Sequence, residues 1–362
     1  MIIEKMQNKK HKKIKNKKFG VYKKMSEFVP PPPPDKKAVR TDSLVNVSDV
    51  ERIAKSIQEE LARHIIGMKN IVQNLVLSLL CDGHILLEGV PGIAKTTLAK
   101  LFAATLGCKY KRVQFTPDLL PSDVLGTNVF DQRSGTFKLR RGPIFTNILL
   151  ADEINRAPPK TQSALLEAMA ERQVSIEGNT YPLSSPFIVI ATMNPIEQEG
   201  TYPLPEAQLD RFLLKSVVGL PNPVEEEKII QLKHKPEDNT LNEITTPETI
   251  IRLQKIVREN IYVDQGIIEF IRDVTIRTRT DPRLFLGGSP RASIAMLNTS
   301  KAYAAICGRD YVVPDDIKRI VIDAVYHRLI LKPEADLEGI SSQSIIRDII
   351  REIPIKEVRA QR

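Results

Sequence analysis

The middle of the chain alternates short apolar runs with segments of helical periodicity. The apolar runs cover residues 85–88, 110–115, 148–151, 187–192 and 212–218. Short runs of this kind, separated by helices, indicate strands that are buried on both faces of a parallel sheet. The pattern therefore predicts an α/β fold, an αβα sandwich in which a mostly parallel central sheet lies between helical layers.

Two further pairs of short strands interrupt this alternation. Residues 127–130 and 136–139 flank a turn that contains Gly135, and residues 173–176 and 180–183 flank a turn that contains Gly178. Glycine-containing turns between short strands are typical of β-hairpins. We therefore expect two hairpins to be inserted into the sheet domain.

The chain on either side of the sheet region is predicted to be helical. Ser48 offers an N-cap for a first helix, and a second helix is expected from about Met68. Helical spacing of apolar residues resumes at Ile250, and residues 345–353 form the last expected helix. The predicted domains are a tail at 1–40, a core at 41–222, a linker at 223–243 and a small all-α domain at 244–362.

The composition is that of an ordinary soluble protein. Of the 362 residues, 42% are hydrophobic and 27% are charged, and no apolar run reaches the ~20 residues that span a bilayer. The cysteines Cys81, Cys108 and Cys307 are scattered, which argues against a disulfide framework and against a zinc site. These features favour a cytoplasmic protein.

The net charge of +9 is confined to the beginning of the chain. Residues 1–24 carry ten lysines and one acid, Glu4, which accounts for the whole excess, and the remainder is balanced. A lysine-rich segment followed by the proline run 30–34 is expected to be a disordered, solvated tail. Binding of nucleic acid or anionic lipid by this tail is the alternative, but the balanced body makes a nucleic-acid partner unlikely.

A phosphate-binding loop is predicted between the first strand and the helix that follows it. Residues 89–96 read G-V-P-G-I-A-K-T, which departs from the pattern G-x-x-x-x-G-K-[ST] only at Ala94. Alanine can supply the required backbone N–H if its backbone is helical, Lys95 brings a cation to the β- and γ-phosphates, and the Thr96 hydroxyl ligates Mg²⁺. The expected nucleotide-binding residues are Gly89, Val90, Pro91, Gly92, Ile93, Ala94, Lys95, Thr96 and Thr97.

Two carboxylates follow the apolar strand at 148–151. Asp152 and Glu153 stand at its carboxyl end, where ligands bind in open α/β sheets. We expect Asp152 to hold Mg²⁺ through its water shell, and Glu153 to orient an attacking water or to accept its proton.

Three more polar residues are candidates by position. Asn194 ends another apolar strand and is expected to reach the γ-phosphate and the water, although an Asn before Pro also favours a turn. Arg211 lies in the run L-P-E-A-Q-L-D-R-F, and Arg291 lies at the start of a helix in G-G-S-P-R-A. Either arginine alone is more often a solvated surface charge.

Taken together and in this order, the motifs resemble those of the AAA+ ATPases, and closely those of the MoxR family. The resemblance extends over about residues 43–333 and includes D-E-I-N-R-A-P-P-K-T-Q-S-A-L-L-E-A-M, T-M-N-P and Y-P-L-P-E-A-Q-L-D-R-F. It implies an αβα core with a helical lid, and a homo-oligomeric ring, usually a hexamer, in which ATP and Mg²⁺ lie between subunits.

The resemblance also implies roles for individual residues. Asn194 is similar to the first sensor, Arg291 to a second sensor on the lid, and Arg211 to the arginine finger that enters the neighbouring subunit's site. The segment that usually lines the adenine pocket corresponds here to Ile65, Ile66 and Gly67, and the two hairpins match insertions shared with magnesium-chelatase ATPase subunits.

The function that this resemblance implies is ATP hydrolysis that drives chaperone-like remodelling or maturation of client protein complexes. Its partners would be a protein client or a protein bearing a von Willebrand factor A domain. Three alternatives remain open at this point: an AAA+ motor on DNA, the ATPase subunit of a metal-insertion complex, and a scaffold that binds nucleotide without hydrolysing it.

Overall fold

The computed structural model describes residues 46–195, 201–234 and 241–354, and the tail expected at 1–40 lies outside these ranges. The helices are α1 Val47–His64, α2 Lys69–Leu80, α3 Lys95–Thr105, α4 Pro121–Leu125, α5 Pro159–Glu171, α6 Glu206–Leu209, α7 Pro223–His234, α8 Pro247–Asn260, α9 Gln265–Thr280, α10 Pro290–Ile306, α11 Pro314–Val325, α12 Pro333–Leu337 and α13 Ser342–Glu352. The strands are β1 Ile85–Glu88, β2 Tyr110–Gln114, β3 Gly126–Asp131, β4 Thr136–Arg141, β5 Ile148–Asp152, β6 Gln173–Ile176, β7 Asn179–Pro182, β8 Ile188–Met193, β9 Leu214–Val217, β10 Leu284–Leu286 and β11 Ile330–Leu331.

Five of these strands form one parallel sheet, and the predicted fold class is confirmed. Their order is β2-β5-β8-β1-β9, so that β8 lies between β5 and β1. Ile190 on β8 stands opposite Leu150 on β5 and Ile85 on β1. Because the strands are parallel, the residues that follow β1, β5 and β8 meet at one edge of the sheet.

Both faces of the sheet are covered by apolar side chains. Leu149 and Val189 belong to one buried cluster, whereas their neighbours Leu150 and Ile190 belong to the other. Successive side chains of a strand point to opposite faces, so this division is what a sheet between two helical layers requires. It explains why the strands read as continuous apolar runs.

The two predicted hairpins are present. In β3–β4 Phe130 stands opposite Phe137, and in β6–β7 the turn residues Glu177 and Gly178 both have positive φ, 49° and 83°. A two-residue hairpin turn needs this left-handed backbone to match the twist of its strands.

The cap of the first helix lies two residues earlier than predicted. Asn46, not Ser48, has the extended backbone of an N-cap, and its Oδ1 accepts from the Asp49 N–H at 3.1 Å. The Asp49 carboxylate accepts in return from the Asn46 N–H at 3.0 Å. This reciprocal pair satisfies two backbone donors at once, which explains why the helix begins there.

The C-terminal region is helical, with two departures from the expectation. Helix α7 occupies the first half of the linker expected at 223–243, because the Asn222 side chain accepts from two backbone N–H groups at 3.0 Å and Pro223 starts the first turn. A short antiparallel pair, β10 with β11, also lies within the domain expected to be all-α.

The sheet and the C-terminal helices share a buried polar contact. The Asn74 side chain on α2 donates to Ser216 on β9 at 2.8 Å and to Asp323 on α11 at 2.7 Å. Over the described ranges, no helix is both long and apolar enough to cross a membrane.

Candidate functional site

The predicted phosphate loop connects β1 to the start of α3. Gly92 and Ala94 both have left-handed backbones, with φ of 83° and 59°. Ala94 therefore differs from the expected helical conformation, and this explains why glycine is the usual residue there, since a left-handed alanine costs about 1–2 kcal/mol. Left-handed residues before a helix turn successive N–H groups toward one side, where they form a concave anion site.

Close packing explains the first glycine of this loop. A Cβ placed on Gly89 would lie 2.6 Å from the Val218 carbonyl oxygen and 2.7 Å from the Ile93 side chain. No side chain fits there unless the end of β9 moves. Lys95, the first residue of α3, donates from Nζ to the Gly89 carbonyl, so its ammonium group lies over the loop.

The structure brings Asp152 at the end of β5 next to the start of α3. Thr96 Oγ1 donates to Asp152 Oδ2 at 3.2 Å, and Thr192 on β8 donates to Asp152 Oδ1 at 2.6 Å. Hydroxyl and carboxylate oxygens are the donors that Mg²⁺ prefers. Thr96 and Asp152 therefore fit the metal site predicted for them.

An arginine that the sequence analysis did not single out also contacts this carboxylate. Arg112 on β2 donates from Nε and Nη2 to Asp152 Oδ2 at 3.0 and 2.7 Å, and from Nη2 to Gln114 Oε1 at 2.5 Å. Arg112 and Gln114 are two positions apart on β2, so their side chains lie on the same face of the strand. Two polar residues on one face of a strand were the available signal, but β2 lies at the edge of the sheet, where polar residues are common.

Glu153 is held in a strained backbone conformation by several partners. Its φ is 56°, which is left-handed, and its N–H donates to Thr192 Oγ1 at 2.8 Å. Its Oε2 accepts from Gln114 Nε2 at 2.6 Å and from Arg156 Nη1 at 2.9 Å. Positive φ outside glycine is uncommon and concentrates at functional sites, where surrounding contacts stabilise it.

Asn194 follows β8, the strand between β5 and β1, and is buried. The Met193 carbonyl just before it accepts from the Gly89 N–H at 3.1 Å, which joins the end of β8 to the phosphate loop. The loop, Asp152, Glu153 and Asn194 thus share one edge of the sheet.

The two candidate arginines contact other parts of the chain. Arg211 donates from Nη1 to the Leu166 carbonyl on α5 at 2.6 Å, and Arg291 forms an ion pair with Asp210 at 3.6 Å. Neither contact involves a residue of the phosphate loop.

A cavity of about 1000 Å³ opens beside the loop. Ile65, Ile66 and Gly67 line it together with Gly92, Ala94 and Thr97, so the predicted adenine-pocket segment does adjoin the loop. The unpredicted helix α7 also lines the cavity, through Glu226, Ile229 and Leu232. A volume of this size is at the upper end of ordinary small-ligand sites.

A buried acid fixes another wall of this cavity. Glu60 on α1 accepts from the Asn242 backbone N–H at 2.9 Å, and Asn242 itself lines the cavity. This backbone hydrogen bond from Asn242 lowers the pKa of Glu60, so its carboxylate stays ionised although it is buried.

The geometry fits a nucleoside triphosphate with its metal. Backbone donors and Lys95 lie at the N-terminus of α3, the oxygens of Thr96 and Asp152 adjoin them, and a cavity of mixed polar and apolar lining adjoins the loop. Fold and site together define an αβα nucleotide-binding protein of the AAA class. The sequence model of the ATPase family associated with various cellular activities matches residues 84–214, and that of the AAA lid domain matches residues 276–349.

Individual relatives narrow the class. The chain is 45% identical to the uncharacterized protein YeaC of Bacillus subtilis over 86% of its own length and 98% of that protein. It is 43% identical to Chaperone MoxR1 of Mycobacterium tuberculosis, with 83% and 82% covered. The crystal structure of a candidate ATPase from Cytophaga hutchinsonii superimposes with a TM-score of 0.79 at 38% identity and covers 86% of this chain and 97% of that one. The chain therefore belongs to the MoxR family of AAA+ ATPases, and it is an ATPase.

Proposed function

We propose that this chain hydrolyses ATP with Mg²⁺ at the junctions between its own copies in a ring, and that this hydrolysis drives the remodelling of client proteins. The observation that carries the proposal is a division of the candidate residues. The phosphate loop, Thr96, Asp152 and Glu153 gather at one edge of the sheet, whereas Arg211 contacts Leu166 on α5. This separation supports a site that receives Arg211 from another copy.

Within one subunit each group has a distinct task. Lys95 and the loop amides place positive charge around the β- and γ-phosphates, and Thr96 with Asp152 would hold Mg²⁺, which neutralises developing negative charge when bound. The Glu153 carboxylate is aimed by Gln114 and Arg156, so it can orient a water or accept its proton.

The neighbouring subunit would complete the site with Arg211. An arginine supplied in this way is worth about 10³–10⁵ in turnover, because it stabilises charge that develops only in the transition state. Turnover would then depend on assembly, and the nucleotide state would be coupled to the arrangement of neighbouring subunits.

Three variants test this division of labour. Glu153→Gln should bind ATP and hydrolyse little of it, and Arg211→Ala should lose hydrolysis while its nucleotide affinity is kept. Mixing Arg211→Ala with Lys95→Ala should restore part of the phosphate release, because the Lys95→Ala subunit still offers an intact arginine to the intact pocket beside it. Absence of recovery in mixtures that demonstrably co-assemble would contradict a shared site.

The hairpin β3–β4 is the surface that we propose to contact the client. Phe130 and Phe137 are exposed and pack edge-to-face, with ring centroids 5.3 Å apart. Two exposed aromatic rings on a two-stranded insertion contribute little to the core, whereas aromatic side chains are enriched where proteins bind each other. The relative named Chaperone MoxR1 supports a client protein as the partner.

Affinity capture tests the client contact. Glu153→Gln with ATP should retain a bound protein, and the same variant carrying Phe130→Ser and Phe137→Ser should lose it while its nucleotide binding is unchanged. If both proteins retain the same partner equally, these phenylalanines do not hold the client. A partner with a von Willebrand factor A domain is the first candidate to look for.

A further inference from the structure

The loop that carries Arg211 is held by the C-terminal helical region, here called the lid, residues 244–354. Asp210 is the residue before Arg211. Its carboxylate lies 2.9 Å from Arg328 Nε and 3.6 Å from Arg291 Nη1. Ser289 Oγ also donates to it, at 3.2 Å. Three lid side chains therefore converge on one carboxylate of the core.

The backbone on both sides of Arg211 is held by the same region. Arg328 Nη2 donates to the Phe212 carbonyl at 2.7 Å and to the Asp210 carbonyl at 3.3 Å. The His327 ring nitrogen Nε2 lies 3.1 Å from the Phe212 carbonyl oxygen. Both lid residues belong to the 3₁₀ turn Tyr326–Arg328. The lid thus fixes residues 210–212 through side-chain and main-chain contacts.

Burial makes this attachment strong. The Arg328 side chain is only 4% exposed, and that of Asp210 is 17% exposed. Burial lowers the pKa of Arg328 to about 10. A guanidinium group so far from water depends on its partner carboxylate, because an unpaired buried charge is strongly destabilising.

The attachment also reaches the helix that carries Arg291. Ser289 is the N-cap of α10, and its Oγ accepts from the Arg291 N–H at 3.1 Å while it donates to Asp210. A shift of α10 relative to the core must therefore either carry Asp210 with it or break these contacts.

The Arg211 side chain itself is only lightly restrained on the core side. Its Nη1 donates to the Leu166 carbonyl, and among the described residues its buried Nε has no hydrogen-bond partner. The position of the guanidinium group is therefore set largely by the backbone of residues 210–212.

We propose that Asp210 is a positioning residue through which the lid of one subunit sets the placement of the Arg211 that this subunit offers to its neighbour. This inference rests on the proposed function, because it takes Arg211 to act in the adjacent site. It adds a direction of communication: the lid of the subunit that offers Arg211 influences hydrolysis in the neighbouring subunit that receives it. Asp210 acts through Arg211 and does not touch the nucleotide in this scheme.

The test is Asp210→Asn, which keeps the shape of the side chain and removes its charge. We expect turnover to fall about 10- to 100-fold, since a misplacement of roughly 1 Å can cost about 10²-fold. The dissociation constant for ATP should stay within about twofold of wild type, because the phosphate loop is untouched. Asp315→Asn, an exposed lid acid paired with Lys318, is the matched control and should change neither quantity.

Mixing experiments separate this role from a structural one. Asp210→Asn mixed with Lys95→Ala should recover turnover, since Lys95→Ala donates a correctly placed Arg211 to an intact pocket. Asp210→Asn mixed with Arg211→Ala should not recover, because neither subunit offers a working arginine. The reverse pattern would mean that Asp210 serves its own subunit's pocket through Arg291, and would overturn the proposal. Unchanged turnover of Asp210→Asn would overturn it as well.

Two further arms keep the outcome decisive. If Asp210→Asn does not fold, Arg328→Lys replaces it: this variant retains the charge but loses the forked contacts to Asp210 and Phe212, and the same mixing pattern is expected. The mixture of Arg211→Ala with Lys95→Ala contains an intact Asp210. If this mixture does not recover turnover, the shared site itself is contradicted. If it recovers turnover but the Asp210→Asn mixtures do not show the expected pattern, only the role of Asp210 is contradicted.

Discussion

Replacing Thr192 with valine should damage both stability and turnover, because its hydroxyl contacts both candidate carboxylate residues of the site. Thr192 is fully buried on β8. Its Oγ1 donates to Asp152 Oδ1 at 2.6 Å and accepts from the Glu153 N–H at 2.8 Å. Valine has nearly the same shape, so the substitution removes these two hydrogen bonds without leaving a cavity.

The size of the effect follows from the two groups that lose their partner. A hydrogen bond to a charged group contributes about 1.5–3 kcal/mol, and a buried N–H left without an acceptor costs about 1–3 kcal/mol. Arg112 and Thr96 still contact Asp152, which reduces the first contribution. We therefore expect Thr192→Val to lower the free energy of unfolding by about 2–4 kcal/mol.

Turnover should fall further than stability alone explains. Glu153 has a φ of 56°, and the hydrogen bond from its N–H to Thr192 is one of the contacts that stabilise this conformation. When that contact is lost, the carboxylate can relax away from its working position, and a displacement of roughly 1 Å costs about 10²-fold in rate.

Urea unfolding and phosphate release measure the two effects, with Thr192→Ser as the matched control. Serine keeps the hydroxyl and loses one methyl group, which should cost about 1 kcal/mol. Turnover of Thr192→Ser should stay close to wild type. Equal turnover of the valine and serine variants, or a valine variant no less stable than the serine variant, would refute the reasoning, because serine retains the hydroxyl and valine does not.

Three other outcomes are expected. Hydrogen bonds from Arg283 lower the pKa of Asp281 in the folded protein. The contribution of Asp281 to the free energy of unfolding is therefore complete above the usual aspartate pKa of about 3.9, and it is lost as the pH falls through the lower pKa of the folded state. Asp281→Asn should therefore lower the unfolding free energy by about 1.5–3 kcal/mol at neutral pH, with the difference from wild type shrinking in acid urea titrations. Phe102→Ala should cost about 3–5 kcal/mol in the same assay, since Phe102 is fully buried. Arg112→Gln should lower the Mg²⁺ concentration for half-saturation up to about fivefold in fluorescent-nucleotide titrations, because it removes a half-exposed cation from Asp152.

The sheet could be predicted from the sequence because its signals are local. A strand covered on both faces needs apolar residues at successive positions, and the run ending at Asp152 meets that need without reference to any distant residue. The phosphate loop is equally local, since strand, glycines and lysine follow one another within twelve residues, from Ile85 to Thr96. The positions of the five central strands were therefore within reach, with ends shifted by one or two residues.

The supporting contacts of the site could not be predicted, because they join residues about 40 positions apart. Gln114 meets Glu153, and Thr192 meets Asp152, only after β2, β5 and β8 have taken their order in the sheet. Strand order depends on packing of the whole domain, and the sequence around these residues does not indicate it. Helix α7 was missed for a different reason: its apolar residues do not form one stripe, and the segment was assigned to the linker expected at 223–243.

Strand β1, which ends just before the phosphate loop, is linked to the lid through Lys215 on β9, and this bears on how the nucleotide can influence the Asp210 contacts. Glu88 ends β1 immediately before the loop, and its Oε2 lies 2.8 Å from Lys215 Nζ on β9. The Lys215 ammonium group also lies 5.2 Å from the centre of the Tyr326 ring. Tyr326 and Arg328 belong to one 3₁₀ turn, and Arg328 holds Asp210. A continuous set of contacts thus runs from the end of β1 through the 3₁₀ turn of the lid to Asp210. We expect a displacement at the end of β1 to be transmitted to the Arg211 loop along these contacts.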